Sequence, residues 1–500
     1  MSQIQIENLT FCYEGSYDNI FENVSFRIDT DWKLGFIGRN GRGKTTFLNL
    51  LLGRYEYRGK ISSPVPFAYF PYEVADPARD TREALAAAGA WFPRWQLQRE
   101  LAKLDVAADV LDRPFGTLSN GERTKVMLAA LFLNEDRFLL IDEPTNHLDM
   151  EARRVLSRYL NAKKGFILVS HDRMFLDGCI DHVLSVNRAD IEVQSGNFSS
   201  WLLNRQRQDH FELSENEKLK KEMRRLEKTA REKADWAGRI EASKIGTHPA
   251  DRGYIGHKSA KMMKRAKAIE QRQQAALREK SKLLKNIETA DSLKLQQLAH
   301  HKNALVRLSD VSVRYGDRTV CSGVTFSVEQ GDRVALTGKN GSGKSSILKL
   351  ICGEEVAHAG QVYRSSGLAL SYVPQDTSFL RGSLSAYAAQ CGVDESLFKA
   401  ILRKLDFARV QFEKDMQDFS GGQKKKVLIA RSLCQRAHLH IWDEPLNFID
   451  VISRMQIEEL ILQFEPTILF VEHDRAFCER IATKQVALVP PPGGRQDAGG

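Results

Sequence analysis

Four blocks of residues recur in one order about 300 positions apart, so whatever this chain folds into, it folds into twice. GRNGRGKTT starting at Gly38 returns as GKNGSGKSS starting at Gly338, and LSNGERTKVMLAA around Ser119 returns as FSGGQKKKVLIAR around Ser420. LLIDEPTNHLD, ending at Asp149, returns as HIWDEPLNFID, ending at Asp450, and LVSHDRMFL around His171 returns as FVEHDRAFC around His473. Each copy alternates short apolar strands with helical stretches, as where LGFIG precedes a glycine-rich loop and KTTFLNLLLG follows it. That alternation predicts two tandem α/β domains, each a mostly parallel sheet flanked by helices. A length of 500 residues accommodates two such domains and a connector.

The connector has a different character. We read residues 1–200 as the first domain, 201–302 as a linker, 303–490 as the second domain and 491–500, PPGGRQDAGG lacking any apolar pattern, as a disordered tail. Leu219, Met223, Leu226 and Ala230 follow three-four spacing, and Ile269, Ala276 and Leu283 recur every seven residues, so the linker is expected to form two helices paired along an apolar seam. Gly246, Pro249, Gly253 and Gly256 break the pattern and place the turn of this hairpin near 245–257. Residues 201–300 hold about 24 Lys and Arg against about 14 Asp and Glu, a surplus that accounts for the net charge of +9 on the whole chain. Basic helices suit a phosphate backbone, although a solvated antiparallel coiled coil would carry the same pattern. The seven cysteines include no C-x-x-C pair, which speaks against a zinc site or a disulfide framework. The opening MSQIQIENLTF lacks the basic and apolar regions of a secretory leader, and no apolar run approaches the roughly 20 residues needed to span a bilayer.

The repeated blocks carry phosphate chemistry. Gly38 to Thr45 and Gly338 to Ser345 both fit G-x-x-x-x-G-K-[ST] between a strand and a helix, the pattern of a phosphate-binding loop. The loop residues Gly38, Arg39, Asn40, Gly41, Arg42, Gly43, Lys44, Thr45 and Thr46, with Gly338, Lys339, Asn340, Gly341, Ser342, Gly343, Lys344, Ser345 and Ser346, are expected to bind ATP. Their N–H groups would wrap the phosphates, Lys44 and Lys344 would reach the β and γ phosphates, and Thr45 and Ser345 would ligate Mg²⁺. Asp142 and Asp443 close apolar strands where a carboxylate can hold the shell of the metal. Glu143 and Glu444 follow directly, placed to orient the water that attacks the γ-phosphate.

These motifs resemble those of the ABC ATPases, whose signature LSGGQ is similar to LSNGE from Leu118 to Glu122 and to FSGGQ from Phe419 to Gln423. The resemblance implies two domains facing head to tail with ATP as substrate and Mg²⁺ as cofactor. One ATP would lie between Lys44 and Ser420, Gly422 and Gln423, the other between Lys344 and Ser119, Gly121 and Glu122. It also implies catalytic roles for the switch histidines His171 and His473, adenine stacking by Tyr13 and Tyr315, and a metal contact for Gln375 of SYVPQD. The chain departs from the family where the matching first-half stretch AYFPYEV puts Tyr72 in place of that glutamine, and where Thr145, His147 and Leu148 become Leu446, Phe448 and Ile449. Two sites that both bind ATP but differ in rate or coupling are expected.

The run EPTNHLD and the helical linker resemble the ABC-F subfamily, ATPases that act on the ribosome. An importer ATPase would use both glutamine loops to grip a membrane partner and has no reason to hold a linker of about 100 residues. The gap from Tyr72 to Ser119 is close to that from Gln375 to Ser420, so no long arm is inserted in either half. The armless layout, the DEPLNFID variant and the turn GYIGHKSAKMMKR are similar to ribosome-protection proteins that confer resistance to lincosamides, pleuromutilins and streptogramin A. That resemblance implies a cytoplasmic bacterial monomer, its two domains paired within the chain and without a membrane partner. Its partners would be the 70S ribosome or 50S subunit, ribosomal RNA and tRNA. It would bind the tRNA exit site with ATP and reach toward the peptidyl-transferase centre with Tyr254, Ile255, His257, Lys258, Lys261, Met262 and Lys264. A housekeeping translation factor of the same subfamily and, against the points above, a transporter subunit are the alternatives.

Overall fold

A computed structural model describes residues 2–14, 19–87, 92–134, 136–146, 148–187, 190–208, 298–316 and 318–488, together with scattered positions between 210 and 228. The apolar runs read from the sequence are the central strands. In the first half a six-stranded sheet runs Phe67–Phe70, Phe138–Asp142, Phe166–Val169, Lys33–Ile37, His182–Asn187 and Asp190–Ser195, parallel except for the last. In the second half Leu370–Val373, Leu439–Asp443, Ile468–Val471, Arg333–Thr337 and Lys484–Ala487 repeat that order, all parallel. Helices cover both faces, so strands such as Phe166–Val169 and Ile468–Val471 are buried at every residue and read as continuous apolar runs rather than alternating ones.

Each half also carries a three-stranded antiparallel sheet, Gln3–Phe11 between Phe21–Asp29 and Arg58–Ser62, and Ala304–Tyr315 between Arg318–Glu329 and His358–Arg364. Its apolar face packs on the helix that follows the phosphate loop, through Phe11, Phe21, Phe47 and Leu48 in the first half. The phosphate loops, the Asp-Glu pairs and the blocks around His171 and His473 therefore leave the carboxyl ends of the parallel strands, where open α/β sheets place their ligands, while the blocks around Ser119 and Ser420 open the helices Asn120–Phe132 and Gly421–Cys434.

The chain divides into two compact units, Met1–Ser199 with Ser292–Gly500, and Ser200–Asp291. Both ATPase-like halves lie in the first unit and meet directly. The Arg173 guanidinium of the helix Arg173–Cys179 is paired with Glu458 of the helix Val451–Phe464, and Glu458, fully buried, also accepts from Arg480 Nη1 at 3.0 Å. In the second unit, every described position from 200 to 228 is helical. The apolar seam, the turn and the contact residues Tyr254, Ile255, His257, Lys258, Lys261, Met262 and Lys264 lie outside the described residues, as does the tail. All seven cysteines carry free thiols, and no helix among the described residues is long and apolar enough to cross a membrane.

Candidate active site

Each phosphate loop leaves a buried strand and opens the helix Lys44–Leu51 or Lys344–Cys352. The residue before the helix, Gly43 or Gly343, has φ 88°. A Cβ at Gly43 would come within 2.5 Å of Ile20 Cγ2 and 3.0 Å of Phe21 Cζ, so only glycine closes this turn. Lys44 Nζ donates to Gly38 O at 2.7 Å, Arg39 O at 3.2 Å and Asn40 Oδ1 at 3.3 Å, and Lys344 Nζ to Gly338 O at 2.9 Å and Lys339 O at 3.0 Å. Both ammonium groups are thus held at the mouths of their own loops. Burial lowers both pKa values, and the charges of Asp450 and Glu143 beside Lys44, and of Glu444 and Asp149 beside Lys344, oppose that.

Thr45 Oγ1 donates to Asp142 Oδ2 at 3.0 Å and Ser345 Oγ to Asp443 Oδ1 at 3.2 Å. A hydroxyl and a carboxylate in contact are hard oxygen donors. Among the described residues no cluster of three His, Cys, Asp or Glu side chains forms an all-protein metal cage. The donor set therefore fits an ion such as Mg²⁺ that completes its shell with phosphate oxygens and water.

Glu143 and Glu444 have φ of 50° and 46°, a left-handed conformation that is strained for a side chain with a Cβ. Their N–H groups donate to Val169 O and Val471 O of the neighbouring strands at 2.9 and 3.1 Å, which fixes the turn. His171 Nε2 lies 3.1 Å from Glu143 Oε1, and His473 Nε2 lies 3.5 Å from Glu444 Oε1. Beyond this the two glutamates differ. Glu444 Oε2 accepts from Gln375 Nε2 at 2.9 Å and Asn447 Nδ2 at 2.7 Å, so Gln375, expected on the metal, bonds to the glutamate here. Burial alone would raise the Glu444 pKa, but His473 beside it, the Asn447 amide and the Lys344 ammonium hold it below the usual value. In the first half Tyr72 replaces the glutamine, and its hydroxyl is buried without a hydrogen-bond partner among the described residues. Burial and the neighbouring Asp142 charge push the Glu143 pKa up to about 8.

A cavity of about 760 Å³ joins the halves. It is lined by Tyr13, Lys44, Thr45, Asp142, Glu143 and His171 of the first half and by Ser420, Gly422, Gln423, Phe448 and Asp450 of the second. Asn40 Nδ2 donates to Phe448 O at 2.6 Å across the joint, and Arg39 is ion-paired with Asp406. Ser420 caps the helix Gly421–Cys434 in a reciprocal box with Gln423, as Ser119 and Glu122 do for Asn120–Phe132. At the opposite joint Asp149 of the first half acts on the charge of Lys344, and Arg153 Nη1 donates to His473 O at 3.2 Å. His147, the counterpart of Phe448, lies outside the described residues. Tyr13 and Tyr315 bond to Thr46 Oγ1 at 2.7 Å and Ser346 Oγ at 3.1 Å, and each leaves about half its surface exposed beside its loop.

Several residues of the site went unread in the sequence. Tyr69 donates to Asp142 Oδ2 at 3.0 Å, Asn447 holds Glu444, and Asp406 pairs with Arg39. The repeat held a signal for each, because Tyr372, Asn146 and Asp105 stand at the matching positions.

The ABC transporter family profile matches residues 21–146 and again 321–447. Ribosome protection protein VmlR of Bacillus subtilis (strain 168) is 28% identical over 488 residues, covering 95% of this chain and 85% of its own length. Energy-dependent translational throttle protein EttA of Haemophilus influenzae is 25% identical over 521 residues, covering 93% and 88%. Among solved structures, archaeal ribosome recycling factor aABCE1, in complex with ribosomal stalk protein aP1, aligns with a TM-score of 0.64 at 20% identity over 97% of this chain and 88% of that one. That last likeness carries the fold of two tandem cassettes. With the same ATPase domain matched twice over half its length, the chain belongs to the ABC transporter family.

Proposed function

We propose that this chain is an ABC-F ATPase whose two halves close on two ATP molecules to hold it on the bacterial ribosome at the tRNA exit site, where it protects the peptidyl-transferase centre from antibiotics. The observation that carries the ATP-dependent part is the single cavity that combines Lys44, Thr45 and Glu143 with Ser420 and Gly422 of the other half. ATP in that cavity would be gripped from both sides, so binding would favour the closed chain and hydrolysis would release it.

The chemistry follows from the side chains. Lys44 and Lys344 would turn from the loop carbonyls to the β and γ phosphates, and Ser420 and Ser119 would close on the γ-phosphate from the opposite half. The Thr45 and Ser345 hydroxyls with Asp142 and Asp443 would hold Mg²⁺, which when bound neutralises charge on the phosphate oxygens. Glu143 and Glu444, each held at the end of its strand by a left-handed backbone, would orient a water and take its proton as it attacks γ-phosphorus. The bond to the β–γ bridging oxygen breaks, leaving ADP and phosphate. His171 and His473, each beside its glutamate, would contact the γ-phosphate and hold the glutamate in line.

The ribosome reading is supported by the likeness to VmlR over 95% of the chain and by the basic surplus of the linker. Glu143→Gln with Glu444→Gln should bind ATP but hydrolyse it slowly, so with ATP the doubly substituted chain is expected to co-sediment with 70S ribosomes or 50S subunits. Association with a membrane fraction instead would return the chain to the transporter class. A second reading, a translation factor without a drug phenotype, is supported by the likeness to EttA over 93% of the chain. Expression in a susceptible bacterium separates the two: raised tolerance to lincosamides, pleuromutilins or streptogramin A supports protection, and unchanged tolerance with intact ribosome binding supports the factor.

A further inference from the structure

A second cavity, of about 700 Å³, is lined by residues of the first half alone. Its polar lining is Arg54, Tyr69, Tyr72, Glu73, Asn134 and Arg137. The Arg54 guanidinium lies 5.3 Å from the centre of the Tyr69 ring and bonds to the neutral Asn49 amide, and among the described residues it makes no ion pair, Glu73 being the one carboxylate of the lining. Arg137 is exposed and makes no ion pair among the described residues. The Tyr72 hydroxyl is the buried, unpartnered one noted above.

The repeat supplies an internal control. In the second half Arg54, Tyr72 and Arg137 become Glu354, Gln375 and His438. There Gln375 serves Glu444, and His438 Nδ1 accepts from Ala369 N inside the domain. The fold therefore requires neither the two guanidinium groups nor the phenol at these places, which leaves them available for binding in the first copy alone. Two guanidinium groups against one carboxylate, Glu73, beside two phenol rings leave a cationic surplus that suits a phosphodiester joined to a flat base.

We propose that this groove is an RNA site on the first ATPase domain. It takes one nucleotide of a single-stranded segment, phosphate on Arg54 and Arg137 and base against Tyr72. Occupancy reaches the first ATP site through Tyr69, whose hydroxyl shares Asp142 Oδ2 with Thr45. The choice of RNA over an acidic protein rests on the ribosome reading above.

The test uses the full chain with a photoreactive p-benzoylphenylalanine at Tyr72, irradiated on ribosomes with ATP. An adduct that ribonuclease removes is expected, its yield falling about fivefold when Arg54→Gln and Arg137→Gln are added, as for the loss of two phosphate contacts. Full co-sedimentation with no adduct, or with an adduct to a ribosomal protein, overturns the RNA site and leaves the ribosome reading standing. If co-sedimentation fails, the free chain is irradiated with a 5′-phosphorylated oligouridylate carrying 4-thiouridine. Adducts on the peptide from Phe67 to Glu73 uphold the site, and adducts elsewhere only, or adducts unaffected by the two arginine substitutions, overturn it. The same oligouridylate should change ATP turnover about twofold in the parent and not in Tyr69→Phe. An equal response in both removes the Tyr69 coupling.

Discussion

Glu143 and Glu444 sit at the same turn of the same fold, and their surroundings set them apart. Glu444 is held ionised by Asn447, His473 and Lys344 and bonded by Gln375, whereas Glu143 is buried beside Asp142 with Tyr72 where an amide donor would stand. The second-half glutamate is the readier base at neutral pH, so Glu444→Gln is expected to lower ATP turnover more than Glu143→Gln in single-turnover assays. Equal losses would mean that the Tyr72 exchange is without kinetic effect. The stability of the nucleotide-free chain gives an independent measure. The Glu143 pKa rises from the ordinary 4.5 to about 8, so the folded form keeps a proton that the unfolded form loses. The stability it contributes is complete below about 4.5 and is lost as pH rises through about 8. Glu143→Gln has no proton to lose, and its melting temperature should exceed the parent's at pH 8 by about 2–4 °C and match it at pH 4.5 or below. Glu444, with a lowered pKa, stabilises above its unfolded pKa, so Glu444→Gln should not gain at pH 8.

At the scale of elements, the signature stretch does two jobs at a helix start. Ser420 caps the helix with Gln423, which fixes where the helix begins, and Gly422, the second residue of the helix, lets it approach the other half. A Cβ at Gly422 would stand 2.3 Å from Phe448 O and 3.2 Å from Asn40 Nδ2, the two atoms whose groups bond across the joint. A backbone oxygen already engaged by Asn40 cannot yield cheaply. Gly422→Ala is therefore expected to hold the first cavity open and cut ATP turnover by about tenfold or more, with unfolding costing about 1–3 kcal/mol less at most. Turnover equal to the parent's in a steady-state assay would contradict the close approach.

Across the whole molecule the two halves are joined by buried charge as well as by the contacts around the first cavity. Glu458 is fully buried and shared by Arg173 of the first half and Arg480 of its own. Its repeat counterpart is Ser157, and Arg475, the counterpart of Arg173, pairs at the surface with Glu479. The joint is thus latched through one member of a pseudo-symmetric pair. Removing one partner of a buried ion pair leaves a charge without compensation, so Glu458→Ala should cost about 3 kcal/mol in urea unfolding. A loss under about 0.5 kcal/mol would place the latch among surface pairs of little worth. The linker is tested at the same scale. A helix from about residue 205 to 244 would reach on the order of 60 Å at 1.5 Å per residue. Deletion of residues 250–257, or Tyr254→Ala, should abolish drug tolerance while ATP turnover of the free chain persists. Unchanged tolerance at matched expression would return the linker to a solvated coiled coil.

The sequence by itself determined the duplication, the parallel sheets and the placement of the phosphate loops and the Asp-Glu pairs at strand ends. Buried apolar runs, glycine turns and caps are local features, and each was written twice. What each carboxylate does at neutral pH was not legible, because Glu143 and Glu444 are the same letter and differ only in what the fold packs around them. Tyr69 and Asp406 escaped for the same reason: a tyrosine and an aspartate become ligand-site residues only when positions 73 apart on neighbouring strands, or opposite halves, bring them to Asp142 and Arg39. Likewise the latch at Glu458 and the groove around Arg54 and Arg137 join residues far apart in the chain. Only tertiary structure decided them, since desolvation and pairing depend on distance in space and not on spacing along the backbone.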